Sequence, residues 1–258
     1  MKLPIYQVDA FASQVFAGNP AAVCPLEAWL DDARMQAIAG ENNLSETAFF
    51  VRAGGAYQLR WFTPVCEVDL CGHATLASAF VIFERLDRRA EAVRFDTRSG
   101  ELTVRRAGDL LAMDFPSRPP QACPANPALA EALGRPPVEI LVSRDFLALY
   151  ESEDAVRGLA PDMQALARLG RFVIVTAPGD TVDFVSRFFA PSAGVPEDPV
   201  TGSAHSTLVP YWAARLGKPN LHALQVSRRG GELWLEDRGE RVGISGAAVM
   251  YLEGTITV

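Results

Sequence analysis

The chain repeats itself, and the repeat limits the folds open to it more than any other feature. "RWFTP" (Arg60–Pro64) is matched by "RFFAP" (Arg187–Pro191) at an offset of 127 residues. Each is followed by an acid-bearing loop and then by a glycine that opens an apolar stretch. These stretches are "CGHATLASA" around Gly72 and "TGSAHSTLV" around Gly202, at an offset of 130. Gly100-Glu101-Leu102 and Gly231-Glu232-Leu233 then open strand patterns at an offset of 131. One short match between apolar strings carries little information, but three in the same order at nearly constant offsets point to two similar lobes. Each lobe should be a mixed sheet around one buried helix, because a helix that is apolar on most sides must be covered on most sides.

Local patterns agree with short strands and few helices. "YQLRWF" (Tyr57–Phe62) and "LLAMDF" (Leu110–Phe115) alternate, the latter placing Leu111, Met113 and Phe115 on one face. "RFVIVTA" (Arg171–Ala177) is a continuous apolar run suited to a fully buried strand. "DDARMQAIAG" predicts a helix from an Asp31 N-cap to Gly40, and "PDMQALARLG" one from Pro161 to Gly170. "GHATLASAFVIFERL" from Gly72 predicts a buried helix. The proline-rich stretch Pro116–Pro127 reads as a linker, and the final "GTITV" as a strand returning to the first lobe. The expected division is 1–116 plus 248–258 for the first lobe and 117–247 for the second.

With 258 residues the chain can bury a large core without metal or disulfide. Its net charge of −7 argues against nucleic acid or an anionic membrane as partner. Cys24, Cys66, Cys71 and Cys123 form no CxxC pair or disulfide framework. Asp9 stands where a signal peptide needs an apolar run, and no stretch has the length to span a bilayer as a helix. A cytoplasmic protein is expected.

A cleft between two lobes is a usual ligand site, and helices beginning at Gly72 and Gly202 would offer it free backbone N–H groups and two positive dipole ends. Such a pair of walls favours an anion such as a carboxylate. Glu46, just before "TAFF", is either a solvated loop end or a functional acid, and Asp198 is either an N-cap or a second acid for proton transfer. His73 follows Gly72. Its repeat partner Ser203 suits a hydroxyl donor to substrate. Cys66, Cys71 and His73 lie close in sequence without completing a zinc-like set, so no metal is expected. Cys71 is either a thiolate activated by its helix start or a small buried residue. No nucleotide, phosphate or pyridoxal motif is visible, so the chemistry should need no cofactor.

"DAFASQVFAGNPAAVC", "NNLSETAFF", "RWFTPVCEVDLCGHATLA" and "EDPVTGSAH" together resemble the PhzF-like family of phenazine biosynthesis, over nearly the whole chain and in the right order. The resemblance implies the diaminopimelate-epimerase fold: α+β, with two pseudo-symmetric lobes, each a barrel-like mixed sheet around a central helix. It implies a cofactor-free isomerase like the family member that acts on dihydro-3-hydroxyanthranilate, in which a glutamate moves a proton between ring carbons. By motif that glutamate is Glu46, and the family's histidine, aspartate and serine fall on His73, Asp198 and Ser203. Asn19, in "GNP", should lie close to the site. The related epimerases use two cysteines. Here one position is filled by Cys71 and the second thiol is missing. The "CGHAT" and "EDPVTGSAH" forms depart from the phenazine isomerase and place the chain nearer the broad branch of the family. A homodimer is implied by the same resemblance.

These readings converge on an isomerase in which Glu46 removes and returns a proton on a small carboxylate-bearing substrate. Asp198 and His73 assist, while Asn19, Gly72, Gly202 and Ser203 bind. Two rivals stand beside it: a racemase or epimerase using Cys71 with a non-thiol partner, and a non-catalytic small-molecule binder of the same fold.

Overall fold

A computed structural model describes residues 1–258. The chain forms two units, Met1–Asp114 with Ser245–Val258, and Phe115–Ile244. In chain order the first contains β1 (Lys2–Ala10), β2 (Asn19–Leu26), α1 (Asp32–Asn42), β3 (Glu46–Ala53), β4 (Ala56–Phe62), β5 (Glu67–Val68), α2 (Gly72–Val81), β6 (Ala92–Thr97), β7 (Gly100–Ala107) and β8 (Leu110–Pro116). The second contains β9 (Gln121–Ala122), α3 (Pro127–Ala132), β10 (Glu139–Val142), β11 (Phe146–Leu149), α4 (Glu153–Arg157), α5 (Met163–Ala167), β12 (Val173–Pro178), β13 (Phe184–Ala190), β14 (Val195–Asp198), α6 (Gly202–Leu216), β15 (Asn220–Gln225), β16 (Gly231–Asp237) and β17 (Arg241–Gly246). The chain ends with β18 (Ala248–Thr257), which returns to pair antiparallel with β1.

The repeat in sequence is a repeat in strand pairing. In the first lobe β1–β2 is antiparallel, β2–β3 parallel, β3–β4 antiparallel, β4–β6 parallel and β6–β7 antiparallel. In the second lobe β10–β11, β11–β12, β12–β13, β13–β15 and β15–β16 follow the same alternation. Within the first lobe α2 packs on β1, β2, β3, β7 and β18, so the sheet wraps around it. Nine of its ten residues are buried, which is why it carries Ala, Leu and Val with only Thr75 and Ser78 as hydroxyls. Both hydroxyls turn back onto the helix, Thr75 donating to the Cys71 carbonyl and Ser78 to that of Ala74, so neither is left unpaired.

The counterpart α6 carries Pro210 in its interior. Proline has no N–H for the Ser206 carbonyl four residues earlier. The backbone N–H of Arg118 takes that carbonyl instead, at 2.8 Å. The proline-rich stretch after β8 is thereby anchored to α6 and is not a free linker.

Three local expectations need correction. The helix from the Asp31 cap runs past Gly40 to Asn42 and closes at Asn43, which adopts the left-handed conformation at φ 48. The segment predicted as a helix over 161–170 holds only one short turn of helix, Met163–Ala167, capped by Asp162. The buried helix from Gly72 loses its α-form at Val81 and continues as a wider π-turn over Ile82–Leu86. The alternating run 110–115 is a strand, with Leu111, Met113 and Phe115 buried as expected, and β12 is buried from Val173 to Ala177.

Candidate active site

The first lobe brings four of the singled-out side chains together at the start of α2. Asn19 opens β2, Glu46 opens β3, and the parallel pairing of these strands sets Glu46 opposite Ala21. Gly18 makes the approach to Asn19 possible. Its φ of +66 is strained for any other residue, and a Cβ there would lie 2.2 Å from the Ala10 carbonyl oxygen. Buried Asp9 accepts the Phe16 N–H at 2.9 Å and so ties down the preceding turn. At the other strand, Asn42 donates to Thr47 Oγ1 at 3.0 Å, which fixes the entry into β3 beside Glu46.

His73, the second residue of α2, is 4% exposed. Its Nε2 stands 3.0 Å from Glu46 Oε2, and its Nδ1 lies 3.1 Å from Asn19 Nδ2 and 3.5 Å from Cys71 Sγ. The Asn19 side-chain amide thus meets the ring at Nδ1, and Nε2 faces Glu46. Burial works against a charged imidazole, but the Glu46 carboxylate beside it favours the charged form, and the His73 pKa is held well above its ordinary 6.5. Glu46 Oε2 is itself buried and accepts no well-aligned hydrogen bond, so it keeps lone-pair capacity at the point where it meets the ring. Burial, then the Glu46 charge, pushes the Cys71 thiol up to about 11. Cys71 is therefore a protonated, sealed thiol near neutral pH, the opposite of an activated thiolate.

Glu46, Cys71 and His73 also bring ligand atoms within 4.8 Å of one another, a donor set that the sequence left incomplete. A cation there would need the thiolate, which burial disfavours, and would meet an imidazole that the same surroundings hold protonated. The set fits proton handling better than metal.

In the second lobe the turn before α6 is built as a unit. Thr201 is the N-cap residue of α6, but its hydroxyl donates to Asp198 Oδ2 and does not cap the helix. Asp198 is thus not the N-cap that its residue type allowed. Buried Gln225, at the end of β15, binds the turn three times. Its Oε1 accepts the Thr201 N–H at 2.8 Å, and its Nε2 donates to the Asp198 carbonyl at 2.8 Å and to Thr201 Oγ1 at 3.2 Å. Cys71 likewise gives α2 no side-chain cap. Both buried helices therefore begin without a capping side chain, as an anion-holding helix start requires.

Sequence reading missed Gln225 and Thr201, which fix the acid-bearing turn, and it missed a matched pair of arginines. Arg60 donates through Nε and Nη2 to Glu67 at 2.7 and 2.8 Å, and Arg187 does the same to Glu197 at 2.7 and 3.0 Å. The arginine of each "RxFxP" repeat thus holds the glutamate of its own acidic loop. These glutamates shape the loops, whereas Glu46 meets His73 and Asp198 accepts from Thr201. The repeat itself could have shown this, since arginine and acid recur at offsets of 127 and 130.

Residues 8–254 match the family model described as phenazine biosynthesis-like protein. An uncharacterized isomerase of Pseudomonas aeruginosa is 58% identical over 257 residues, covering 99% of each chain. A crystal structure of a phenazine biosynthesis protein of the PhzF family from Enterococcus faecalis superposes with a TM-score of 0.98 at 49% identity, over the whole of both chains. A hydroxyproline epimerase from Agrobacterium vitis shares the fold at a TM-score of 0.63 and 11% identity, over 99% of this chain and 92% of its own. With an α+β lobe architecture built twice in one chain and a match from end to end, the chain belongs to the phenazine biosynthesis-like protein family, whose curated bacterial relatives are named isomerases.

Proposed function

We propose that this protein is a cofactor-independent isomerase that moves a proton on a small carboxylate-bearing metabolite, with Glu46 as the general base and acid. The observation that carries the reading is the buried Glu46–His73 pair, 3.0 Å apart. The Glu46 carboxylate is fixed beside His73 and has lone-pair capacity on Oε2, which suits it to take up a C–H proton from a substrate placed against it. The proton leaves carbon for Glu46, and the electron pair spreads into the conjugated carboxylate of the substrate. Glu46, whose acquired proton exchanges with solvent, returns a proton to a different carbon, so no oxidant or reductant is needed. His73, held protonated, stabilises the negative charge that develops. Asn19 orients the ring. Asp198, Gly202 and Ser203 are assigned to the substrate, as is Gly72 through its backbone N–H at the start of α2.

An epimerase reading through Cys71 is disfavoured by the thiol's pKa of about 11, four units above neutrality, where almost none of it is thiolate. The test is turnover on a panel of small unsaturated carboxylates. Glu46→Gln, which keeps size and hydrogen bonding but loses the base, should lower kcat by a factor of roughly 10²–10⁴. Cys71→Ser should leave it within a few-fold. Full turnover in Glu46→Gln would refute the assignment. Activity lost only in Cys71→Ser would transfer the chemistry to the thiol, and tight binding of panel members without any proton exchange would favour a non-catalytic binder.

A further inference from the structure

Arg144 stands in the turn between β10 and β11, and no reading of the chain gave it a role. Its guanidinium is committed through Nε and Nη2 and open at Nη1. Nε lies 3.4 and 3.2 Å from the two carboxylate oxygens of Asp145, and Nη2 donates to Asp145 Oδ2 at 3.0 Å. Asp145 is 4% exposed, so it is a fixed anchor and not a passing surface partner. Nη2 also donates to Ser203 Oγ at 3.3 Å. Nη1 has no partner, and 42% of the Arg144 side chain is exposed.

The turn that carries Arg144 is rigid. The Ser143 N–H donates to the Asp145 carbonyl at 3.0 Å, and Ser143 Oγ donates to the Arg118 carbonyl at 3.2 Å. Arg171 Nη1 donates to the carbonyls of both Ser143 and Arg144, at 2.9 and 3.0 Å. Arg118, in turn, is bound through its backbone N–H to Ser206 within α6. The guanidinium plane is thus set relative to α6 before any ligand arrives.

Ser203 Oγ accepts from Arg144, which leaves its own hydroxyl hydrogen to donate outward. The adjoining side chains then keep two donors for a ligand, Arg144 Nη1–H and Ser203 Oγ–H. An acceptor that suits both is an anion with two acceptor oxygens, such as a carboxylate, one oxygen meeting the charged guanidinium and the other the hydroxyl. Arg171, reaching the turn from the segment before β12, adds a second positive charge beside it, against the single acid Asp145.

We propose that Arg144 is a specificity-determining residue that, with Ser203, selects the anionic form of the substrate's carboxylate over neutral isosteres. This rests on the assignment of Ser203 to substrate binding made above, and it adds the residue that supplies charge to that contact.

The experiment is calorimetric titration with anthranilate and with anthranilamide, its neutral isostere, on four proteins: wild type, Arg144→Lys, Arg144→Met/Asp145→Asn and Glu46→Gln. The double variant removes the ion pair as a unit, so Asp145 is not left as an unpaired buried charge that would itself repel the probe. Circular dichroism confirms its fold. Wild type should prefer anthranilate by about tenfold or more, the range of a charge-assisted hydrogen bond. The double variant should bind the two probes within about twofold of each other, and Arg144→Lys should keep part of the preference, since lysine supplies charge without the fork. Glu46→Gln should keep all of it while losing turnover. Undiminished preference in the double variant, or wild-type protein that binds the probes equally or binds neither, overturns the proposal. Turnover retained in Glu46→Gln with the preference intact would sink the isomerase reading and leave the role of Arg144 standing.

Discussion

His73 and His205 each sit in the first turn of a buried helix, each nearly sealed from water, and yet their surroundings drive them in opposite directions. His205 has only the Thr201 carbonyl, 2.9 Å from Nδ1, and its Nε2 is buried without a partner. Burial therefore dominates and lowers its pKa to about 4. His73 has burial against it as well, but the Glu46 carboxylate holds it above 6.5. The consequences for stability have opposite signs. His205 is protonated in the unfolded chain below 6.5 but stays neutral in the fold down to about 4, so stability falls as pH drops across that interval, by about 3 kcal/mol. Stability from protonated His73 is fully present below 6.5 and is lost as pH rises through its elevated folded value. Urea unfolding at pH 6.5 and 4.5 should show the acid loss in wild type and a smaller one in His205→Gln. An NMR titration should find one imidazole protonating well above the ordinary range and another well below it. Two buried histidines titrating together near 6.5 would contradict the description of both helix starts.

At the scale of elements, the helix starts and their acidic loops are held from outside, by groups distant in sequence. Gln225 satisfies the Thr201 N–H and the Asp198 carbonyl together. Gln225→Leu keeps the volume but leaves both unpaired, and should lower stability in urea unfolding by about 2–3 kcal/mol. Arg60→Met and Arg187→Met each leave a partly buried glutamate without its bidentate partner and should cost about 2 kcal/mol each. The double change Arg60→Met/Glu67→Met should recover much of that loss, because removing a buried pair is milder than breaking it. If the single and double changes are equally destabilising, the clamp is not what holds the loop. The arginine clamps were legible only through the repeat, and the other supports not at all. Gln225 lies 24 residues beyond Thr201 and belongs to no motif, and Arg144 meets Ser203 from 59 residues away. Such contacts depend on how strands are paired, and periodicity does not reveal pairing. The helix starts themselves were legible, since a glycine opening an apolar run is a local signal. The helix ends were read less well: glycine suggested a stop at Gly40 where Asn43 supplies it, and the π-turn after Val81 has no sequence signature.

For the whole molecule, duplication explains why so much of the fold could be read. Ordered matches near 130 residues apart gave two lobes with a buried helix each, and the strand pairings repeat in the same order in both. What the repeat could not give is the difference between its halves. The first lobe places His73 and Glu46 at its helix start, whereas the equivalent start in the second lobe has Ser203 with Arg144. Under the proposed function, the first half would move the proton and the second would hold the anion. The most direct test of this account is deuterium incorporation from D₂O into panel carboxylates, followed by NMR. Wild-type protein should introduce deuterium at the carbon where the proton is returned, and Glu46→Gln should introduce none above the uncatalysed background. Incorporation by Glu46→Gln at the wild-type rate would contradict the account at its centre.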